Sequence, residues 1–536
     1  MAEELYKRQS KYSFGYARSP DQDAPQPVRH PVVVVGAGPV GLSFAVDMAQ
    51  RGVKVVLLDD ADRIGEGSRG ICYSKRALEI LDRLGVGERC ADKGVQWKIG
   101  KVFHREEQVY QFDLLPEDGH KMPAFINLQQ YYLEHYLCER AVEAGVEIRW
   151  RNKLVNAVRG NDGVRIDIDT PDGAYVLDAD WLIAADGARS TLRGLLGLEW
   201  RGEVFEDRFL IADVKMTEAF PSERWFWFEP PFHEGHSALL HKQPDDVWRI
   251  DLQLGPDADA AEEQKPEKVI PRIEQMLKHR NFELEWVSLY TFQCRRIDEF
   301  VHGRIVFVGD AAHQVSPFGA RGANSGIQDA ENLAWKLAMV MNGEAPESLI
   351  DSYHDERSQA ADENILHSTR STDFIAPRSR QELRFRNAAL ALAGAAGFAK
   401  AMINSGRLST PKTYDTTLST PDCDAWGGSA RLGAPAPDAP VQDKCGAPQW
   451  FLEALGGEET LVVFGPPPDG LAAGGCRVLR AGQDISDPQG VLAQRLDATP
   501  GSAFLFRPDQ HLAARWRKPD AAVIEAARQR LRGRLN

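Results

Sequence analysis

A valine-rich run, a turn carrying glycine at three fixed places and a segment of helical apolar spacing follow one another from Val32 onward, and this succession constrains the fold more than any other part of the chain. In PVVVVGAGPVGLSFAVDMAQRGVKVVLLDD the β-branched run reads as a strand, and Leu42, Ala45, Val46 and Ala49 recur at helical spacing. Val53 to Leu58 reads as a second strand. Between the first strand and the helix lies Gly36-x-Gly38-x-x-Gly41, with Pro39 inside it at the helix start. The first glycine permits a tight turn, the second lets a pyrophosphate approach the backbone, and the third lets the helix pack on the sheet. The helix N-terminus attracts the anion. Asp59, followed by Asp60, ends the second strand where it can accept hydrogen bonds from a ribose diol. A βαβ unit holding a dinucleotide is the expectation.

With 536 residues the chain exceeds what one core usually serves, so two or three domains are expected. A net charge of −14 argues against general binding to nucleic acid or to an anionic membrane and directs attention to small substrates. Seven cysteines without a CxxC read as scattered reduced thiols, and the polar first thirty residues lack the apolar core of a secretory signal. No run is apolar enough to cross a bilayer. The expected compartment is the cytoplasm.

Residues 1–30 read as an N-terminal arm. Residues 31–103, 123–203 and 295–375 form a discontinuous nucleotide-binding domain in this reading. A β-sheet domain rich in Trp, Phe and His (104–122 and 204–294) is inserted into it. A helical connector and a Pro/Ala/Asp-rich linker occupy 376–430, and a small α/β module occupies 431–536. Short strands at Val164 to Ile168, Tyr175 to Leu177 and Trp181 to Ala185 are separated by turn signals such as Asp162-Gly163 and Asp172-Gly173. Ser325 to Met341 has helical apolar spacing.

Two later segments choose the cofactor. LIAADGARSTLR, with Asp186-Gly187, and GRIVFVGDAAHQVSPFGARGANSGIQDAENLAWKL, with Gly309-Asp310, resemble the FAD segments of the single-component flavoprotein aromatic hydroxylases. The 3-(3-hydroxyphenyl)propionate hydroxylase-like part of the phenol hydroxylase branch is the nearest match. The resemblance spans about residues 30–375, and more weakly a C-terminal thioredoxin-like domain that here lacks CxxC. It implies an α/β fold with a Rossmann-like FAD domain of the hydroxybenzoate hydroxylase type.

Transferred position by position, the resemblance implies that Asp310 binds the FAD ribityl chain and that Pro317, Phe318 and Gly319 line the flavin face where substrate sits. It implies that backbone amides around Gly322, Ala323 and Asn324 meet the pyrimidine edge, with the positive end of a helix starting near Ser325 aimed at flavin N1 and O2. The resemblance implies that Arg69 contacts the cofactor, that Gln130 opens a helix beside the FAD phosphates and that Val155 is a further cofactor contact. For Arg69 a surface salt bridge is the other reading, and for Gln130 a helix cap.

The reaction implied is hydroxylation of a small phenolic or aromatic substrate by a homodimer using FAD, NADH or NADPH, and O2, through a flavin C4a-hydroperoxide. A polycyclic or polyketide-type substrate on the same fold and a non-catalytic FAD-binding protein are the alternatives. Where the family commonly has Gly-Gly-Gln-Gly, this chain has Gly319-Ala320-Arg321-Gly322. A cation there suits an anionic substrate or a raised flavin potential; a solvent-facing Arg321 is the other reading. His236 and His241 are candidates for a phenol proton relay, with ordinary structural histidines as the alternative. His233 and His236 are three apart, unlike HExxH, so no metal is expected.

Overall fold

The computed structural model describes residues 12–65, 70–217, 220–255, 258–403, 408–468 and 476–534. Val28–Val35 is the centre of the first sheet because Val32, Val33 and Val34 are fully buried from both faces, as a parallel strand covered by helices requires. Val55–Asp59 and Tyr175–Ala184 pair with it in parallel on either side. Glu147–Trp150 extends the sheet beyond the former strand, and Ile305–Phe307 and then Val301–His302 extend it beyond the latter. Lys153–Arg159 and Val164–Asp169 continue as an antiparallel ribbon along Tyr175–Ala184. The two short strands expected around Asp178 are thus one, because Asp178 and Asp180 point outward while Leu177, Ala179 and Trp181 are buried.

The second sheet is mixed and carries the aromatic-rich segment. Its order is His313–Gln314, Glu283–Arg296, Arg201–Lys215, Val247–Leu254, Ser237–Lys242, Arg224–Phe228, Ile99–His104 and Glu107–Asp113. It takes in Ile99–His104, ahead of the boundary expected at 104, and Arg201–Lys215 enters it ahead of 204. Helix Asp351–Ile375 leads on to Arg380–Ala393, which packs against this sheet through Ala389 and Leu390.

A third, seven-stranded sheet runs from Pro440–Asp443 to Leu512–Trp516, and helix Ala521–Leu531 follows it. Its apolar side merges with Trp335, Met339 and Leu349 of the first domain. No helix among the described residues is long and apolar enough to cross a membrane.

Candidate flavin and substrate site

One cleft of about 940 Å³ lies between the first two sheets, and residues from both line it. Its floor is the glycine turn. Gly36 has φ +108°, and a Cβ there would stand 2.3 Å from the Ala185 carbonyl oxygen; a Cβ on Gly41 would stand 2.0 Å from the Gly36 oxygen. Both glycines therefore serve close packing, and of the two only Gly36 also lines the cleft. Gly38 differs: a Cβ would meet no protein atom within 4 Å, so the empty space in front of it is not filled by the fold. Helix Pro39–Gln50 begins there with no side-chain cap, leaving its first amides directed at that space. A cradle of this shape fits a pyrophosphate.

Asp59 lines the cleft with Asp60. Its two carboxylate oxygens accept the Ala37 amide at 2.6 Å and the Ala61 amide at 2.8 Å. Burial nonetheless raises its pKa, against the opposing pull of those two amides. A carboxylate has about four acceptor sites, so two remain for a diol. Gln130 lies in the first turn of helix Gln130–Glu143, accepting the Gly70 amide at 3.0 Å and donating to Glu134 at 2.7 Å, and it lines the cleft. Arg69 lies outside the described residues. Val155 is not among the lining residues, whereas Lys153 and Leu154 at the start of its strand are.

At the other end, Asp186 spends one oxygen on the Leu192 amide, 3.1 Å away. Its buried Oδ1 has no hydrogen-bond partner, and burial raises its pKa. Such an orphaned atom on a cleft wall fits a ligand hydroxyl. Asp310 is exposed on the same wall. Gly309 is not a lining residue; its φ is +60°, its amide donates to Asp329 at 2.9 Å, and a Cβ would touch Val40 at 3.0 Å. The helix expected near Ser325 starts earlier and spans Gly322–Met341, uncapped by any side chain, so Gly322, Ala323 and Asn324 form its amide-bearing end at the cleft. The Asn324 side chain is engaged elsewhere: it accepts from the Ser74 amide at 2.9 Å and donates to the Cys72 carbonyl at 2.9 Å, tying this end to strand Cys72–Ser74.

Pro317 and Phe318 line the cleft, but Gly319 does not; its φ is +102° and its carbonyl accepts the Ser409 amide at 2.8 Å. Arg321 is buried, 2% exposed, and donates to Asn364 at 3.1 Å, which overturns the solvent-facing reading. His236 is not a lining residue. It lies in the turn between strands Arg224–Phe228 and Ser237–Lys242, its ring centroid 5.2 Å from that of His233 and tilted by 38° to it. His241 does line the cleft, 4% exposed and with Nδ1 unbonded. Burial, aided by Arg224 and Arg249, pushes its pKa well below the usual value, so it is neutral.

The sheet register explains which side chains join His241. His241 faces Arg249 across the strands and Arg249 faces Asp213; Leu239 faces Asp251 and Asp251 faces Ile211. Alternation puts these two rows on one side, the side over the cleft. Arg249 is held by Asp213 in a two-pronged pair at 2.9 and 3.0 Å. Burial raises Asp251 to about 6, and its Oδ1 has no partner. Arg224, Arg249 and Asp251 were not singled out from sequence. The available signal was Arg249 and Asp251 at alternate positions within VWRIDLQL, where a strand of large apolar residues keeps two charges on one face. Phe209, Phe292 and Phe318 complete the apolar part of the wall, with ring centroids 4.9 to 5.1 Å apart.

A glycine cradle at a helix start, an acid at the end of the second strand and a second uncapped helix end across the same cleft define a dinucleotide-binding protein. Comparison with known proteins narrows this class. Residues 29–368 match the FAD binding domain family, and the chain belongs to it. It is 30% identical to 6-methylpretetramide 4-monooxygenase of Streptomyces rimosus, over 96% of this chain and 94% of that one. It is 29% identical to a flavin-dependent monooxygenase of Mycobacteroides abscessus, over 90% and 96%. The fold is shared with the flavin-dependent monooxygenase PieE, whose crystal structure holds FAD and substrate: TM-score 0.81 at 23% identity, covering 95% of this chain and 100% of that one. The protein is thus an FAD-dependent monooxygenase of the aromatic hydroxylase type.

Proposed function

We propose that the chain hydroxylates a phenolic aromatic ring with NADH or NADPH and O2, and that the substrate is a fused-ring compound of polyketide type rather than a single-ring phenol. The end-to-end match to an enzyme named for 6-methylpretetramide carries the fused-ring reading, since it includes the third sheet as well as the FAD domain.

FAD, when bound, accepts electrons from the nicotinamide and activates O2 for transfer of one oxygen atom. The chain's own residues supply the setting. Gly38 and the amides opening helix Pro39–Gln50 would hold the pyrophosphate, and Asp59, Asp186 and Asp310 would serve the hydroxyls. Amides at Gly322 to Asn324, at an uncapped helix start on the cleft, would stabilise negative charge gathered by the cofactor on reduction. Phe209, Phe292 and Phe318 keep water from the reacting region and give a flat ring an apolar face.

The test is NADH and NADPH consumption by the FAD-loaded protein with four-ring phenols and with 3-(3-hydroxyphenyl)propionate, and mass spectrometry for one added oxygen. Four-ring compounds are expected to accelerate consumption and to gain the oxygen. Hydroxylation of the single-ring acid alone would reverse the size assignment, and no acceleration by any aromatic compound would sink the enzymatic reading.

A further inference from the structure

The row Asp213, Arg249, His241 runs across three neighbouring strands over the cleft, and Arg224 continues it. One step beyond the paired positions Trp225 and Leu240, Arg224 falls opposite His241. The row is asymmetric in its pairing. Arg249 has its carboxylate, Asp213, which also accepts from Gln243 at 3.2 Å. Arg224, half-buried on the cleft wall, makes no hydrogen bond or ion pair with any described residue, and Asp251 is the carboxylate whose charge reaches it. A guanidinium taken partly out of water without a partner is costly, and burial accordingly lowers its pKa. Two polar atoms beside it, His241 Nδ1 and Asp251 Oδ1, are likewise without hydrogen-bond partners.

We infer that Arg224 is the anchor for an acidic oxygen of the substrate, a carboxylate or an ionised enol, and so selects acidic aromatic compounds over their neutral analogues. This rests on the monooxygenase reading for what happens next to the ligand, but the binding preference itself does not. The planar five-donor guanidinium matches a two-oxygen anion in a two-pronged bond. Asp251 does not cancel it: no ion pair joins the two, and a carboxylate raised by burial takes up a proton when an anion arrives, becoming a donor to that anion. Arg249, fixed on Asp213, is not available for the same task. His241, neutral and with an open Nδ1, adds a hydrogen-bonding position without adding charge.

The experiment titrates FAD-loaded protein with 1-hydroxy-2-naphthoate and with its methyl ester, following the flavin absorbance. The acid is expected to bind tighter than the ester by about 10-fold or more, the scale of one charge-assisted pair. Arg224→Gln is expected to erase that preference and Arg224→Lys to keep part of it, each variant being judged only if its flavin spectrum matches the parent's. Equal affinity for acid and ester in the parent, or a preference that survives in Arg224→Gln, overturns the assignment; so does failure of both compounds to perturb the flavin. NADPH and NADH consumption is recorded with the same ligands. An acid preference without any stimulated consumption would leave the anchor standing and count against the monooxygenase reading, so the two failures separate.

Discussion

Two clusters of charge, one between helix Gly322–Met341 and the third sheet and one on the second sheet over the cleft, are built in opposite ways. Toward the third sheet, Glu356 accepts from Arg507 at 2.7 and 2.9 Å, from Lys336 at 2.8 Å and from Asn332 at 2.7 Å. Asp509 accepts from Arg507 at 2.6 Å and from Trp335 at 3.0 Å. Burial alone would raise Glu356, but Arg507 and Lys336 outweigh it and hold its pKa far below the usual value. Over the cleft, by contrast, Arg224, Asp251 and His241 keep unfilled bonding capacity. The first cluster closes a domain contact inside one chain; the second is left for something that arrives. Buried charge alone therefore does not mark a functional site; what sets the second cluster apart is unspent bonding capacity on the wall of a cleft.

The sharpest way to break the comparison is Glu356→Gln. Removing one side of a buried network leaves Lys336 and part of Arg507 uncompensated, so a loss of about 3–5 kcal/mol is expected in urea unfolding. The acid-over-ester preference of whatever remains folded should not change. A loss below about 1 kcal/mol would show the domain contact to be held by the apolar packing around Trp335 and Leu349 instead.

Asp251→Asn should act in the other direction. An acid raised on folding lowers stability as pH climbs from about 4, where the unfolded side chain loses its proton, to about 6, where the folded one does; above that the penalty is constant. The variant is expected to gain at most about 3 kcal/mol at pH 7.5 and nothing below about pH 4. Thermal unfolding across that range measures it, and destabilisation at pH 7.5 would mean that Asp251 is an essential partner of the arginines rather than a group waiting for a ligand.

The smallest effect on stability belongs to Gly38→Ala. Its φ of −76° suits any residue and its Cβ would meet no protein atom, so the fold should change by no more than a few tenths of a kcal/mol. Affinity for FAD should fall nonetheless, since the methyl would stand where a phosphate approaches. Equal FAD retention by parent and variant on gel filtration would remove the cradle from the phosphate site.

These contrasts also explain what could be read from the chain alone. The βαβ unit was legible because Val32 to Val35, Gly36 and Asp59 are local and each has a reason to be of that type. FAD itself was legible only through the resemblance of Asp186-Gly187 and Gly309-Asp310 to known flavoprotein segments. The helix starts at Gly322 and not near Ser325 as its apolar spacing suggests, because its first turn, Gly322-Ala323-Asn324, carries no apolar period and no capping side chain. Histidine signals chemistry in a sequence, which is why His236 and His241 stand out there and Arg224 does not. Arginine signals it only once register shows which row it joins and that the row leaves it unpaired. Asp213 and Arg249 are 36 positions apart and meet only across two strands, beyond the reach of any local pattern.

The threading of the chain between the first two sheets bears on how the protein is made. Val28–Val35 finds one parallel neighbour in Val55–Asp59, but the other, Tyr175–Ala184, emerges much later, and Ile305–Phe307 and helix Gly322–Met341 later still. Contacts so distant in sequence form slowly, after the loops between them have closed. During synthesis the ribosome must release some three hundred residues before the second amide-bearing end exists. Cofactor capture is therefore a late event, and until then an incomplete sheet waits with its buried valines exposed to aggregation.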